Sequence, residues 1–157
     1  MSTRAEGDAV SARQPVAFNH LGQCVTDLER SKRFYVELLG FEIEREIRPP
    51  DELSGRLLRL EPPLGMTACY LRRDGLVLEL LHFADAGTQP PRERVMNEPG
   101  LTHISVSVDD FDGFLAQVEE FGGEVLVDTN IGAGCFVRDP DRQLVEILPM
   151  SYRRSLD

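Results

Sequence analysis

The chain has no tryptophan among its 157 residues and holds three cysteines and three histidines. Cys24, Cys69 and Cys135 are odd in number and widely spaced, which excludes a simple disulfide framework, matches no zinc-finger spacing, and suits reduced thiols in a cytoplasm. Basic residues are scarce, with 17 Lys and Arg against 27 Asp and Glu, a formal charge of −10 and a pI near 4.8. With no basic stripe, a nucleic-acid partner is not expected. Apolar runs are short, and none approaches the roughly 18 to 20 residues that cross a bilayer, so no membrane partner is expected either. The opening "MSTRAEGDAVSARQP" also lacks the apolar stretch of a signal peptide, and residues 1–14 read as a disordered tail.

What the chain does have is a regular alternation at "LTHISVSVDD", residues 101–110. Ile104, Val106 and Val108 share one face of a half-buried strand, and His103, Ser105 and Ser107 share the other. The same signature occurs earlier. "NHLGQCVTDLERSKRFYVELLGFEI" from position 19 overlays "THISVSVDDFDGFLAQVEEFGGEVL" from position 102 without gaps, so that His20 falls on His103, Asp27 on Asp110 and Gly40 on Gly123. The chain is an internal repeat.

Each copy spells a strand, an aspartate able to N-cap a helix, a helix closed by a glycine, and then β-rich segments. In the first copy these are "FEIEREI", "GRLLRLE", "TACYLRR" and "LVLELLHF", and in the second "EVLVD", "AGCFVRD" and "QLVEILPM". "PPDELSG" and "EPPLG" mark loops, and "RDG" and "RDPDRQ" are turns ahead of the last strands. The expected organisation is a first βαβββ module over 15–83, a linker over 84–100, a second module over 101–150 and a C-terminal tail over 151–157. The expected fold class is α+β, with two mixed sheets forming a cleft.

The last strand of each copy carries a glutamate among aliphatic neighbours, Glu79 in "LVLELL" and Glu146 in "LVEILP". A carboxylate in such company is costly without a compensating positive charge. If the first and last strands of each copy pair, His20, Glu79, His103 and Glu146 line one concave side, while Leu78, Leu80, Ile104, Val106, Val145 and Ile147 pack beneath the helices. Two imidazoles and two carboxylates suit one divalent transition metal per site, whether zinc, nickel, cobalt, manganese or iron. His82 has the opposite strand parity from Glu79 and is expected to be structural. Arg92 and Arg94, in the linker, are available to meet an anionic group.

From Val16 to Met150 the chain resembles the vicinal oxygen chelate superfamily, the glyoxalase, bleomycin-resistance and methylmalonyl-CoA epimerase group. The likeness rests on "HLGQCVTDLERSKRFYVELLGF", "GLTHISVSVDD" and "FVRDPDRQLVEILP". The resemblance implies paired βαβββ modules around a metal, often in a homodimer, with His20, Glu79, His103 and Glu146 as ligands. It also implies a small-molecule substrate and an enzyme of the lyase or isomerase type, in which Glu146, or failing it Glu79, removes a proton beside a metal-bound carbonyl. The full His, Glu, His, Glu set favours glyoxalase I over the epimerase, which typically has glutamine at the position of Glu79. Two features depart from glutathione-dependent relatives: Cys24 stands where they tend to carry arginine, and "LLHFADAG" lacks their asparagine. Alternatives are an epimerase-like enzyme, for which Glu52 or Glu61 would supply a second catalytic glutamate, a ring-cleaving dioxygenase, and a metal-independent binding protein.

The two faces of the second copy's first strand should respond differently to mutation. Ile104→Asp should abolish the cooperative thermal transition, since an unpaired carboxylate beneath a helix costs several kcal/mol. Ser105→Ala should melt like the wild type, and equal tolerance of both changes would mean the faces are reversed.

Overall fold

The computed structural model describes residues 15–92 and 95–154; the expected tail over 1–14 and Arg94 lie outside the described residues. Among the described residues, eight strands form two four-stranded mixed sheets. The first comprises β1 (Leu21–Cys24), β2 (Glu42–Ile47), β3 (Met66–Arg73) and β4 (Leu76–Phe83), in the order β1-β4-β3-β2. The second comprises β5 (His103–Val108), β6 (Glu124–Val125), β7 (Cys135–Arg138) and β8 (Leu144–Pro149), in the equivalent order β5-β8-β7-β6. In each sheet the first strand pairs in parallel with the last, and the remaining pairs are antiparallel.

Parallel neighbours need a crossover, and a helix supplies it in both modules. α1 (Leu28–Lys32) begins at Asp27, whose carboxylate accepts from the Arg30 amide at 3.0 Å, and runs into a π-helical stretch over Arg33–Leu38. α3 (Phe111–Leu115) begins at Asp110, which accepts from the Gly113 amide at 2.9 Å, and a 3₁₀ turn over Val118–Phe121 follows. These side chains satisfy amides that a helix start leaves unpaired.

At the end of the second helix the structure corrects the sequence reading. The left-handed residue there is Gly122, at φ 81°, and not Gly123. Gly123 answers a different need, since a Cβ at that position would stand 2.8 Å from both the Arg138 carbonyl oxygen and the Phe34 ring. One glycine turns the chain and the next lets the modules close.

Two further elements differ from expectation. "GRLLRLE" is not a strand, because Asp51–Leu58 forms α2. Asp51 and Glu52 occupy its favourable first turn, the Asp51 side chain also accepts from the Leu64 amide at 2.8 Å, and Arg59 closes the helix at φ 60°. "EVLVD" pairs for two residues and then turns as 3₁₀ over Val127–Thr129. The C-terminal end carries α4 (Met150–Arg154).

The faces of the strands sort as the alternation requires. Leu71, Leu78, Leu80, Val137, Val145 and Ile147 are buried in one core that spans both modules, with Ile104, Val106 and Val108 packed against it. Phe34 and Tyr35 are fully buried within it. No helix among the described residues is long and apolar enough to cross a membrane.

The turn Asp139-Pro140-Asp141 clasps the two modules. Asp139, 3% exposed, accepts from the amides of Asp141 at 2.9 Å and Gln143 at 2.7 Å through one oxygen. Its other oxygen accepts from the Tyr35 hydroxyl at 2.9 Å and the Gln23 side chain at 2.7 Å, both from the first module. Asp141 pairs with Arg30 at 3.0 Å and accepts from the Ser31 hydroxyl at 3.2 Å, and it also takes the Thr26 hydroxyl and, at 3.2 Å, the Thr26 amide. Burial raises the Asp139 carboxyl above its ordinary range, and the four donors oppose that shift. A raised carboxyl pKa means that ionising Asp139 opposes folding: its contribution is fullest below about 3.8 and declines as pH rises through the folded-state value.

Asp139→Ala would remove the acceptor of the Gln23 side-chain NH2 and of two backbone amides, and would leave the Tyr35 hydroxyl only its 3.0 Å bond to Gln23 Oε1. It should cost about 3 kcal/mol in urea unfolding, whereas Tyr35→Phe, which removes one donor, should cost about 1 kcal/mol. A wild-type midpoint for Asp139→Ala would show that the clasp does not hold the modules.

Candidate functional site

The parallel pairing of first and last strands sets the site. Gly22 in β1 is the partner of Glu79 in β4, and Ser105 in β5 is the partner of Glu146 in β8. A histidine two residues before each of those first-strand partners therefore reaches the carboxylate. His103 opens β5, while His20 immediately precedes β1. His20 Nε2 lies 3.0 Å from Glu79 Oε2, and His103 Nε2 lies 3.7 Å from Glu146 Oε2.

Each imidazole is aimed from behind and from the side. His20 Nδ1 hydrogen-bonds Asn19 Oδ1 at 2.9 Å, and His103 Nδ1 hydrogen-bonds Thr102 Oγ1 at 2.9 Å. The rings of Tyr70 on β3 and Phe136 on β7, each in the strand beyond the glutamate, meet them edge to face at centroid distances of 5.6 and 5.3 Å. In a neutral ring that donates from Nδ1 to Asn19 Oδ1, the Nε2 lone pair would face a carboxylate lone pair of Glu79. Such a pair calls for a proton or a cation between the two atoms.

The donor chemistry fits a divalent metal. Ligand atoms held at about 2.1 Å from zinc, at angles between octahedral and tetrahedral, stand roughly 3.0 to 3.4 Å apart. The two His–Glu separations bracket that range. Asn19 and Thr102 occupy the supporting positions that orient ligating imidazoles.

The structure brings the four expected residues together as two pairs. Among the described residues no group of three or more His, Cys, Asp or Glu side chains converges, so a single cleft gathering all four is not built within one chain. The half-sites also differ. Glu79 is 12% exposed and takes the shorter histidine contact, whereas Glu146 is 29% exposed and accepts a hydrogen bond from Ser105 Oγ at 2.7 Å. Gly22 occupies the matching place beside Glu79. A groove of about 440 Å³ runs along the seam between the modules, lined by β1 and by Thr102 and His103.

Tyr70 was not singled out from the sequence, although a signal for it exists. The Asp74-Gly75 turn is left-handed at both residues, with φ 47° and 80°, as in a two-residue hairpin. It pairs Arg73 with Leu76, and counting back places Tyr70 opposite Glu79. Burial, and then the Glu79 carboxylate, raise the Tyr70 hydroxyl above its ordinary range. His82 pairs with Thr67 on the opposite parity from Glu79. Arg92 is paired with Glu98, and Glu52 and Glu61 are exposed. Cys24 is exposed on β1, and Cys69 and Cys135 are buried and free.

Residues 17–147 match the glyoxalase/bleomycin resistance protein/dioxygenase superfamily. The uncharacterised protein YwkD of Bacillus subtilis is 28% identical over 135 residues, covering 83% of this chain and 94% of YwkD. Among solved structures, a glyoxalase-family protein from Bacillus cereus superposes with a TM-score of 0.72 at 17% identity, over 90% of this chain and 98% of its own. The fosfomycin resistance protein FosX of Listeria monocytogenes, complexed with Mn(II) and sulfate, does so with a TM-score of 0.60 at 15% identity, over 92% and 100%. At these identities the structures establish the fold alone.

Protein purified without chelator should carry about one divalent ion per chain, and the His20→Ala/His103→Ala double variant should carry almost none. Metal analysis by mass spectrometry decides this, and undiminished stoichiometry in the double variant would remove the site. The match over residues 17–147, together with two copies of one strand order, makes this chain a member of the glyoxalase/bleomycin resistance protein/dioxygenase superfamily.

Proposed function

We propose that the protein is a divalent-metal-dependent lyase or isomerase of the glyoxalase type, which moves a proton on the carbon next to a substrate carbonyl. The observation that carries this reading is the repeated half-site: in both modules an oriented imidazole presents Nε2 to a strand carboxylate, at 3.0 and 3.7 Å. His20, Glu79, His103 and Glu146 would hold the ion. When bound, a divalent ion there supplies Lewis acidity, drawing charge from the carbonyl oxygen and so acidifying the adjacent carbon-bound proton.

The proton itself needs a base from the chain. Glu146 is favoured over Glu79, since it is the more exposed carboxylate and stands farther from its histidine. It is the freer of the two to turn toward a substrate. Ser105 Oγ donates to Glu146 Oε2 at 2.7 Å and so holds the carboxylate toward β5. A proton taken from one carbon and returned to its neighbour completes an isomerisation with no oxidant or reductant. Glu79, less exposed and interacting with Tyr70, would remain a ligand.

Two half-sites that do not meet within a chain are completed by a second copy, the His20–Glu79 pair of one chain facing the His103–Glu146 pair of its partner. Chains bearing His20→Ala and chains bearing His103→Ala should each fail to bind metal tightly. Mixed by denaturation and refolding, they should recover it, because the mixed dimer contains one site made of two intact halves. No recovery in the mixture, with tight binding by the wild type, would place the site within one chain.

Glu146→Gln keeps the shape of the side chain but cannot accept the proton. It should retain the fold and part of the metal affinity, and it should exchange a substrate α-proton with deuterated water about 100-fold more slowly than the wild type. Candidate thioesters, hemithioacetals and α-keto acids can be screened by proton NMR. Exchange at the wild-type rate in a metal-loaded variant would transfer the role of base to Glu79. Tight binding without exchange in the wild type would favour a binding protein of the bleomycin-resistance type.

A further inference from the structure

The row of side chains that carries Glu79 continues past Tyr70. Across the next strand pair Tyr70 is in register with Arg45 of β2, and the Arg45 guanidinium lies over the Tyr70 ring, 4.3 Å from its centroid. The register of β2 shifts between Ile43 and Arg45. That irregularity gives Glu44 the extra place and sets Arg45 on the face shared by Tyr70 and Glu79. Bulges of this kind re-aim side chains beside functional sites.

The neighbouring cations are already committed. Arg72 makes a bidentate pair with Glu44, both distances 2.9 Å, and Lys32 is bonded to Glu29 at 2.8 Å and to Glu46 at 2.5 Å. Arg45 has no carboxylate within ion-pair distance among the described residues. Its strand is exposed throughout, so the guanidinium is open to a ligand. The Arg45 side chain also hydrogen-bonds the Tyr70 side chain, and an arginine held on an aromatic ring in this way keeps the remaining donors of its planar fork for an oxyanion. In a chain of net charge −10, attraction for an anion has to come from a local group such as this one.

We propose that Arg45, seated on Tyr70, is the anion-recognising residue of the site. The substrate is then a small molecule bearing a carboxylate or a phosphorus oxyanion on the side remote from the metal. Adjacent strands lie about 4.8 Å apart, so the Arg45 backbone stands roughly 10 Å from that of Glu79. A chain of a few carbons spans from the reacting carbon to the guanidinium. This inference rests on the His–Glu pairs being the reactive centre.

The test is equilibrium binding by calorimetry to metal-loaded protein, using α-ketoglutarate, its phosphonate analogue, and α-ketobutyrate, which shares the keto-acid end but lacks the distal anion. The wild type should bind one or both distal anions at least about 10-fold more tightly than α-ketobutyrate, the scale of a hydrogen bond to a charged group. The better of the two identifies the oxyanion. Arg45→Gln should bind all three alike, Arg45→Lys should keep part of the preference, and Arg33→Gln, altered on an exposed helix position, should keep all of it.

A metal-loaded wild type that binds the three equally, or binds none of them, overturns the proposal, as does a preference that survives in Arg45→Gln. Metal content measured on the same samples separates the two readings. A wild type that takes up no metal rejects the reactive centre and this inference with it, whereas a metal-loaded wild type without discrimination rejects the recognition by Arg45 alone.

Discussion

The parallel pairing of the first strand of each module with its last is the constraint on which the rest depends. Because residues of paired strands lie opposite one another, the register Gly22 to Glu79 and Ser105 to Glu146 delivers a carboxylate to the side of each histidine. A slip of one residue would turn Glu79 and Glu146 into the core and bring Leu78, Leu80, Val145 and Ile147 to the outer face. The buried positions, all within a few per cent of complete burial, forbid that slip. The hydrophobic core and the candidate site are thus two faces of one register.

Duplication supplied two half-sites, and small differences give them separate characters. At one strand position Gly22 offers Glu79 no side chain, while Ser105 donates to Glu146. On the adjacent strand Tyr70 stands opposite Glu79 and Phe136 opposite Glu146. The outcome is one more enclosed carboxylate with a phenol beside it, and one more open carboxylate with a hydroxyl beside it. Under the proposed function, such an asymmetry would let one carboxylate remain a ligand while the other meets the substrate. The Tyr70 side also continues to Arg45, which has no counterpart in the two-residue β6.

Relative placement of the modules comes from polar groups as well as from the shared core. Asp139 and Asp141 reach across to Gln23, Tyr35, Thr26, Arg30 and Ser31, residues that surround the end of β1 and the start of the first helix. Burying Asp139 is costly, and its four donors offset that cost. Gln23, the residue after Gly22 with the opposite parity, is tied into the clasp. The strand that follows His20 is therefore anchored on its inner face by contacts from the other module.

The repeat, the strand alternation and the aspartates that start both helices were all legible in the sequence, because each rests on local periodicity or on a side chain bonding an amide a few residues away. The four residues of the two half-sites were legible for the same reason, since each lies on the polar parity of an otherwise apolar strand. Other features were decided by contacts that no local pattern carries. "GRLLRLE" has the composition of a strand, yet residues 55–58 end a helix begun by Asp51 and tied to Leu64. Gly122 and Gly123 look equivalent in the chain, and only the approach of Phe34 and Arg138 tells them apart. The "DPD" turn reads as local punctuation and proves to hold the modules together, because its partners lie more than a hundred residues away. The sequence by itself determined which face of each strand is apolar and which carries the candidate site, through the two-residue period of the backbone. Tertiary structure decided that the four residues stand as two separate pairs within the chain, since the distance between two sheets depends on how their shared core packs.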